Sequence, residues 1–98
     1  MSLPVEFHPA VQNEADDGYR WYEQKSPGLG REFLNEVERV ISEIVANPAR
    51  YGFAERDIRE GQLRRFPYAV YYRVLPNRIR VLAVFNAYRD PAIWQARS

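Results

Sequence analysis

Between Phe33 and Val45, seven apolar residues (Phe33, Leu34, Val37, Val40, Ile41, Ile44 and Val45) recur at three- and four-residue spacing. That period puts all of them on one stripe of a helix spanning about Gly30 to Asn47, and such a stripe needs a second layer to bury it. Glu32, Glu36, Glu38, Arg39 and Glu43 take the other faces. Asn47-Pro48 ends the helix, because the residue before a proline is pushed out of helical geometry. After Pro48 the composition turns from helix formers to β-branched and aromatic residues. The chain is therefore helical first and sheet-forming second.

Upstream, Val5-Glu6-Phe7 alternates as a short strand does. From Ala10 to about Ser26 the pattern is helical, with Val11, Ala15, Tyr19 and Tyr22 on one face and Glu14, Asp16, Asp17 and Glu23 elsewhere. Gly18 weakens this helix and marks close packing. Ser26-Pro27-Gly28-Leu29-Gly30 breaks it, so the two helices form an antiparallel hairpin.

In the second half, Ile58 to Phe66 reads as a strand with Gly61 as a bulge. Ala69 to Leu75 is a strand with Val70, Tyr72 and Val74 on one face, Tyr71 and Arg73 on the other. Pro76-Asn77 turns the chain into an antiparallel neighbour, Arg78 to about Ala87. That strand puts Ile79, Val81, Ala83 and Phe85 on one face and Arg80, Leu82, Val84 and Asn86 on the other. A strand apolar on both sides is expected at the centre of a sheet covered on each face. Asp90-Pro91 starts a short terminal helix, Asp90 as N-cap, from which Trp94 packs back on the body. The expected fold is α+β: an antiparallel sheet in the order β-α-α-β-β-β, a helical hairpin on one face, and a short C-terminal helix.

With 98 residues the chain is expected to form a single domain over 1–98. It has no cysteine, which removes disulfides and thiolate chemistry. No apolar run approaches the ~18 residues of a membrane span, and Met1-Ser2-Leu3-Pro4 lacks a signal peptide's apolar core, so a cytoplasmic protein with no membrane partner is expected. Residues 1–57 hold six basic and eleven acidic side chains, a net of −5, whereas residues 58–98 hold eight arginines against Glu60 and Asp90, a net of +6. That split suits a polyanionic partner, nucleic acid or acidic polypeptide, and equally a solvated arginine face.

Few constellations carry chemistry. His8 is the lone histidine and reads as structural or solvent-exposed, so no metal and no cofactor is expected. Glu14, Asp16, Asp17 and Glu23 read as a solvated acidic face. Gly28-Leu29-Gly30 lacks a preceding strand and a third glycine, which argues against a dinucleotide site. What remains is arginine interleaved with aromatics: Arg64-Arg65-Phe66-Pro67-Tyr68 at a strand end with the two arginines on opposite faces, Tyr71 with Arg73, and Asn86, Tyr88 and Arg89 at the end of the last long strand. Such sets stack bases and neutralise phosphates, anchor protein partners, or simply cap a core.

Ala15 through Trp21-Tyr22-Glu23, Pro27-Gly28-Leu29-Gly30-Arg31-Glu32-Phe33, Arg64 through Val74, Val81 through Phe85, and Arg89-Asp90-Pro91 with Trp94 together resemble the ParE/RelE superfamily. These are toxins of bacterial type II toxin–antitoxin systems, plasmid stabilisation proteins among them. The resemblance spans nearly the whole chain and implies a toxin in hetero-oligomeric complex with an antitoxin whose acidic segment wraps it. ParE-like members poison DNA gyrase; RelE-like members cut mRNA on the ribosome through the RNA's own 2′-hydroxyl.

That second reaction needs groups to move protons and cations to stabilise the phosphorane. Arg65, Arg73 and Arg89 would supply cations. The basic half has neither histidine nor lysine, and Asn86 stands where related sequences often carry histidine, so proton transfer would fall to Tyr88 or Tyr71 with a pKa lowered by arginines. The expected reading is therefore a gyrase-directed toxin that is not an enzyme. The alternative is a ribosome-dependent endoribonuclease using Arg65, Tyr88 and Arg89. Residues expected to bind target or antitoxin are Arg59, Arg64, Arg65, Tyr71, Arg73, Asn86, Tyr88, Arg89, Trp94 and Arg97.

Overall fold

The computed structural model describes residues 2–98. Strand β1 (Val5–Phe7) leads into helix α1 (Ala10–Lys25) and helix α2 (Leu29–Ala46). Strands β2 (Phe53–Glu55), β3 (Ile58–Gln62), β4 (Tyr68–Val74) and β5 (Ile79–Asn86) follow, then the short helix α3 (Ala92–Gln95). The five strands form one sheet in the order β1-β5-β4-β3-β2. Among the described residues no helix is long and apolar enough to cross a membrane.

The α+β fold expected from the sequence is the one observed, with two differences. β2 is an additional strand, paired antiparallel with β3 across the Arg56-Asp57 turn, where Arg56 has φ of 51°. β1 pairs parallel to β5, Val5 with Ile79 and Phe7 with Val81, so the sheet is mixed. Three residues give no pattern from which direction can be read; the parallel setting is what lets the chain cross directly into α1.

The helical hairpin covers one face. Phe33, Val37, Val40 and Ile44 of α2 are buried with Val11 of α1 and with Val70, Tyr72, Ile79, Val81 and Val84 of the sheet. Tyr22, Phe33, Phe66 and Tyr68 interlock at one end, with ring centroids 4.8–6.1 Å apart. On the outer face, Ile58, Leu82, Ala83, Phe85 and Trp94 form a second, smaller cluster against Tyr71.

β5 does not alternate strictly. Tyr71 pairs with Ala83 but Tyr72 with Val81, so Leu82 is an extra residue, a β-bulge. Ile79 and Val81 face the hairpin with Val84, while Leu82, Ala83 and Phe85 face outward. The expected grouping of Ile79, Val81, Ala83 and Phe85 is thus corrected: a period-2 reading cannot detect one inserted residue when both faces are apolar. Gly61 is not a bulge; it pairs regularly with Val70, and a Cβ there would meet Val40 Cγ1 at 2.8 Å. β3 also stops at Gln62, leaving residues 63–67 as a loop.

Two acids expected in solvent are structural. Glu14 is 8% exposed on α1's inner face. Glu23 accepts hydrogen bonds from Gly28 N and Gly30 N, both at 3.0 Å, and so caps α2 from the preceding helix. Asp90 Oδ1 accepts from Ala92 N (3.0 Å), the expected cap of α3. His8 Nδ1 accepts from Ala10 N (3.0 Å) at the start of α1, a bond only neutral imidazole can make.

A Cβ at Gly18 would lie 2.6 Å from Phe33 Cε2 and Cζ. Helix propensity alone would make Gly18→Ala stabilising by about 1 kcal/mol. Overpacking reverses that sign: urea unfolding is expected to show a loss of about 1–3 kcal/mol. His8 supplies a pH signature, its pKa being lowered by burial and then by the charges of Arg97 and Arg80, against Glu14, which raises it. Between the folded and unfolded values the unfolded chain binds more protons, so stability falls as pH drops below about 6.5 through the folded value. Urea midpoints measured between about pH 7 and 5 are expected to fall less in His8→Asn, which keeps an acceptor without the charge.

Candidate functional site

The residues singled out in the sequence fall into separate regions of the surface. Tyr71 lies on the outer face, stacked on Trp94 with centroids 3.9 Å apart and planes 13° from parallel. Its hydroxyl donates to Glu60 Oε1 at 3.3 Å. Burial, with Glu60's charge and hydrogen bond, pushes its pKa up to about 12. The expectation that arginines lower it is overturned: burial is the main cause of the rise, and the charge beside the phenol is that of Glu60. Arg73, on the same face, pairs with Asp57 at 2.9 Å.

Arg59, Arg64 and Arg65 belong to the opposite side of the sheet. Arg59 donates to Tyr51 O (2.6 Å) and lies 4.0 Å over the Phe53 ring. Arg64 and Arg65 sit in the 63–67 loop, not on opposite faces of a strand end. Arg64 N donates to Glu36 Oε1 (2.8 Å) and Arg65 pairs with Glu32 (2.8 Å), so α2 moors the loop. Glu36 is held at about 2, first by its hydrogen bond with Arg39 and then by Arg64 N. Arg65 adopts φ of 70°, a conformation unusual for a side-chain-bearing residue.

Pairing also changes the meaning of the charge split. Arg65, Arg73, Arg78, Arg80 and Arg97 pair with Glu32, Asp57, Glu6, Glu6 and Glu14, all acids of the first 57 residues. The basic half is largely neutralised within the fold. Among the described residues from 58 onward, Arg64 and Arg89 are the arginines whose guanidinium meets neither an acid nor a backbone carbonyl. The surface pairs contribute about 0–1 kcal/mol each.

Arg97 and Glu14 differ because both are nearly buried. β1 ends beside Val81, and beyond it β5 has no strand on its outer edge. Glu14 Oε1 accepts from Val84 N (3.1 Å), and Arg97 Nη1 donates to Leu82 O (3.0 Å). The two side chains pair with each other at 2.9 Å. They supply the backbone partners a further strand would have given, at the bulge residue Leu82 and two residues beyond it.

This arrangement forms the floor of a cleft of about 480 Å³ between α1 and the end of β5, lined by Glu14, Asp17, Trp21, Tyr68, Val84, Asn86 and Arg89. Asn86 Oδ1 accepts from Tyr88 N (2.8 Å), fixing the turn that carries Tyr88 and Arg89. Arg89 lies 4.8 Å over the Phe85 ring. Trp21 and Tyr88 are 56% and 87% exposed, unusually open for aromatics. Asn86 and Arg89 are thus brought together, with two walls: Tyr68, singled out in the sequence only within the Arg64–Tyr68 stretch, and Trp21, which sequence reasoning had assigned to no site. The available signal was Trp21's position, a large aromatic off the apolar stripe of α1. A smaller concavity of about 260 Å³ on the outer face, lined by Glu60, Gln62, Tyr71 and Phe85 among others, has no cation in its lining.

Removing Arg97 leaves Glu14 charged, buried and unpaired. Arg97→Ala is expected to cost about 3–5 kcal/mol in urea unfolding, and far more than Arg78→Ala, whose pair is exposed.

Comparison with known proteins gives a consistent result. A solved structure described as a chromosomal ParDE TA system from P. aeruginosa superposes with a TM-score of 0.64 at 19% identity, covering 86% of this chain and 95% of that one. At that identity the likeness is one of fold. No curated protein sequence matches the chain. The family model described as the ParE toxin of type II toxin–antitoxin system, parDE, matches residues 5–91. With nearly the whole domain matched in sequence and the fold shared with a ParDE system, this chain belongs to the ParE toxin family of type II toxin–antitoxin systems.

Proposed function

We propose that the protein acts in the cytoplasm as a DNA gyrase poison, held inactive in a hetero-oligomer by an antitoxin segment laid over its surface. The observation that carries this reading is the cleft that open Trp21 shares with Arg89, an arginine without an acid partner, with exposed Tyr88 next to Arg89 in the chain. Trp, Tyr and Arg dominate the energetics of protein–protein contacts, and their exposure suits docking on a macromolecule. Family membership supports gyrase as that macromolecule. Tyr71 does not serve as a proton-transfer group at neutral pH, being raised to about 12 and packed under Trp94.

Purified protein with gyrase, supercoiled plasmid and ATP is expected to yield linear DNA after protein denaturation. Tyr88→Phe is expected to keep that activity within about fivefold, since it removes one hydroxyl and keeps the ring. If plasmid stays intact, the ribonuclease reading takes over. Tyr88 is then the proton-transfer group, and the same substitution would lower ribosome-bound mRNA cleavage on the order of 10²-fold or more.

A further inference from the structure

The α1–β5 cleft is built for hydrogen-bond donation despite the two acids in its lining. Glu14's carboxylate is already engaged by Val84 N and Arg97, so it offers no free negative charge to a ligand. Asp17, at the rim, is exposed and paired with Arg20 at 3.2 Å. The remaining polar residues of the lining are Tyr68, Asn86 and Arg89, whose guanidinium lies 4.8 Å over the Phe85 ring and meets no acid. The Asn86 oxygen is occupied by Tyr88 N, which leaves its N–H₂ as the outward function. Trp21 supplies an apolar wall beside these donors.

We infer that this cleft seats a single carboxylate side chain, Asp or Glu flanked by apolar residues, from an acidic polypeptide segment. One unpaired guanidinium with an adjacent amide matches one planar carboxylate. A nucleic-acid strand is the poorer fit. It presents several phosphates in series and needs several cations, whereas Arg89 is the one cation among the described residues of the cleft's lining and Asp17 stands at its rim. The apolar wall also suits a peptide side chain next to the acid. This deepens the reading of the chain as a toxin bound by an acidic antitoxin segment, and it rests on that reading. It places the contact in the same cleft assigned to target docking, so occupancy of the cleft would mask that surface.

The test uses the full-length protein and ¹H–¹⁵N spectra that resolve the Trp21 indole and Asn86 side-chain amides. The probes are acetyl-Leu-Glu-Leu-amide, its Gln counterpart, and octathymidylate. Saturable shifts at both resonances in the millimolar range are expected with the Glu peptide, and none with the Gln peptide. Affinity is expected to fall about tenfold in Arg89→Gln and to be unchanged in Arg31→Gln, an exposed residue of α2 outside the cleft. Asn86→Asp is a second variant, read at the Trp21 indole alone and expected to abolish its shift by adding a like charge. Equal response to the two peptides, no response up to about 10 mM, or tighter binding of octathymidylate at the same resonances would each overturn the inference. Gyrase poisoning is read separately as linear DNA, so failure of the target assignment and failure of the carboxylate site are distinguishable.

Discussion

Beyond Val81 the last long strand continues without a strand on its outer edge, and two side chains from opposite ends of the chain provide what is missing there. Glu14 reaches from α1 to Val84 N, Arg97 reaches from the C-terminal segment to Leu82 O, and they pair with each other at 2.9 Å. Neither charge would be tolerable at this depth alone; together, and with backbone partners, they are. The pair ties α1, β5 and the C-terminal segment into one unit.

The same location holds the inserted residue Leu82. That insertion lets Val81 and Val84 both face the hairpin while Leu82, Ala83 and Phe85 face Trp94. One strand thereby serves two cores, the larger under α1 and α2 and the smaller under α3. It also fixes the orientation in which the end of β5 presents Asn86 and Arg89 to the cleft.

The charge distribution shows how a fold can absorb an apparent signal. Acids of the first 57 residues pair with five arginines of the sheet half, while Arg59 meets backbone carbonyls and Arg64 and Arg89 meet neither. The strip of positive surface suggested by the linear sequence is reduced to local features. The proposed recognition at the cleft would then depend less on bulk charge than on one guanidinium framed by aromatics, a geometry that favours selectivity over affinity.

Much of the fold was legible in the sequence because its elements carry strong local periodicity. The stripe from Phe33 to Val45, the Ser26–Gly30 break, the Pro76-Asn77 turn and the capped α3 each appear where local pattern puts them. β2 escaped because three residues with little periodicity give no pattern. The bulge escaped because β5 is apolar on both faces. Of the candidate site, Asn86 and Arg89, readable as polar residues at a strand end, line the α1–β5 cleft, whereas Tyr71, Arg73 and Arg97 are engaged by Trp94 and Glu60, by Asp57 and by Glu14. By itself the sequence determined which segments are helix or strand and which faces they bury, since those follow from side-chain spacing along a few turns. The tertiary structure decided which charges remain unpaired and which aromatics remain open, because a residue's partner in space, such as Arg97 for Glu14, is set by packing between segments far apart in the chain.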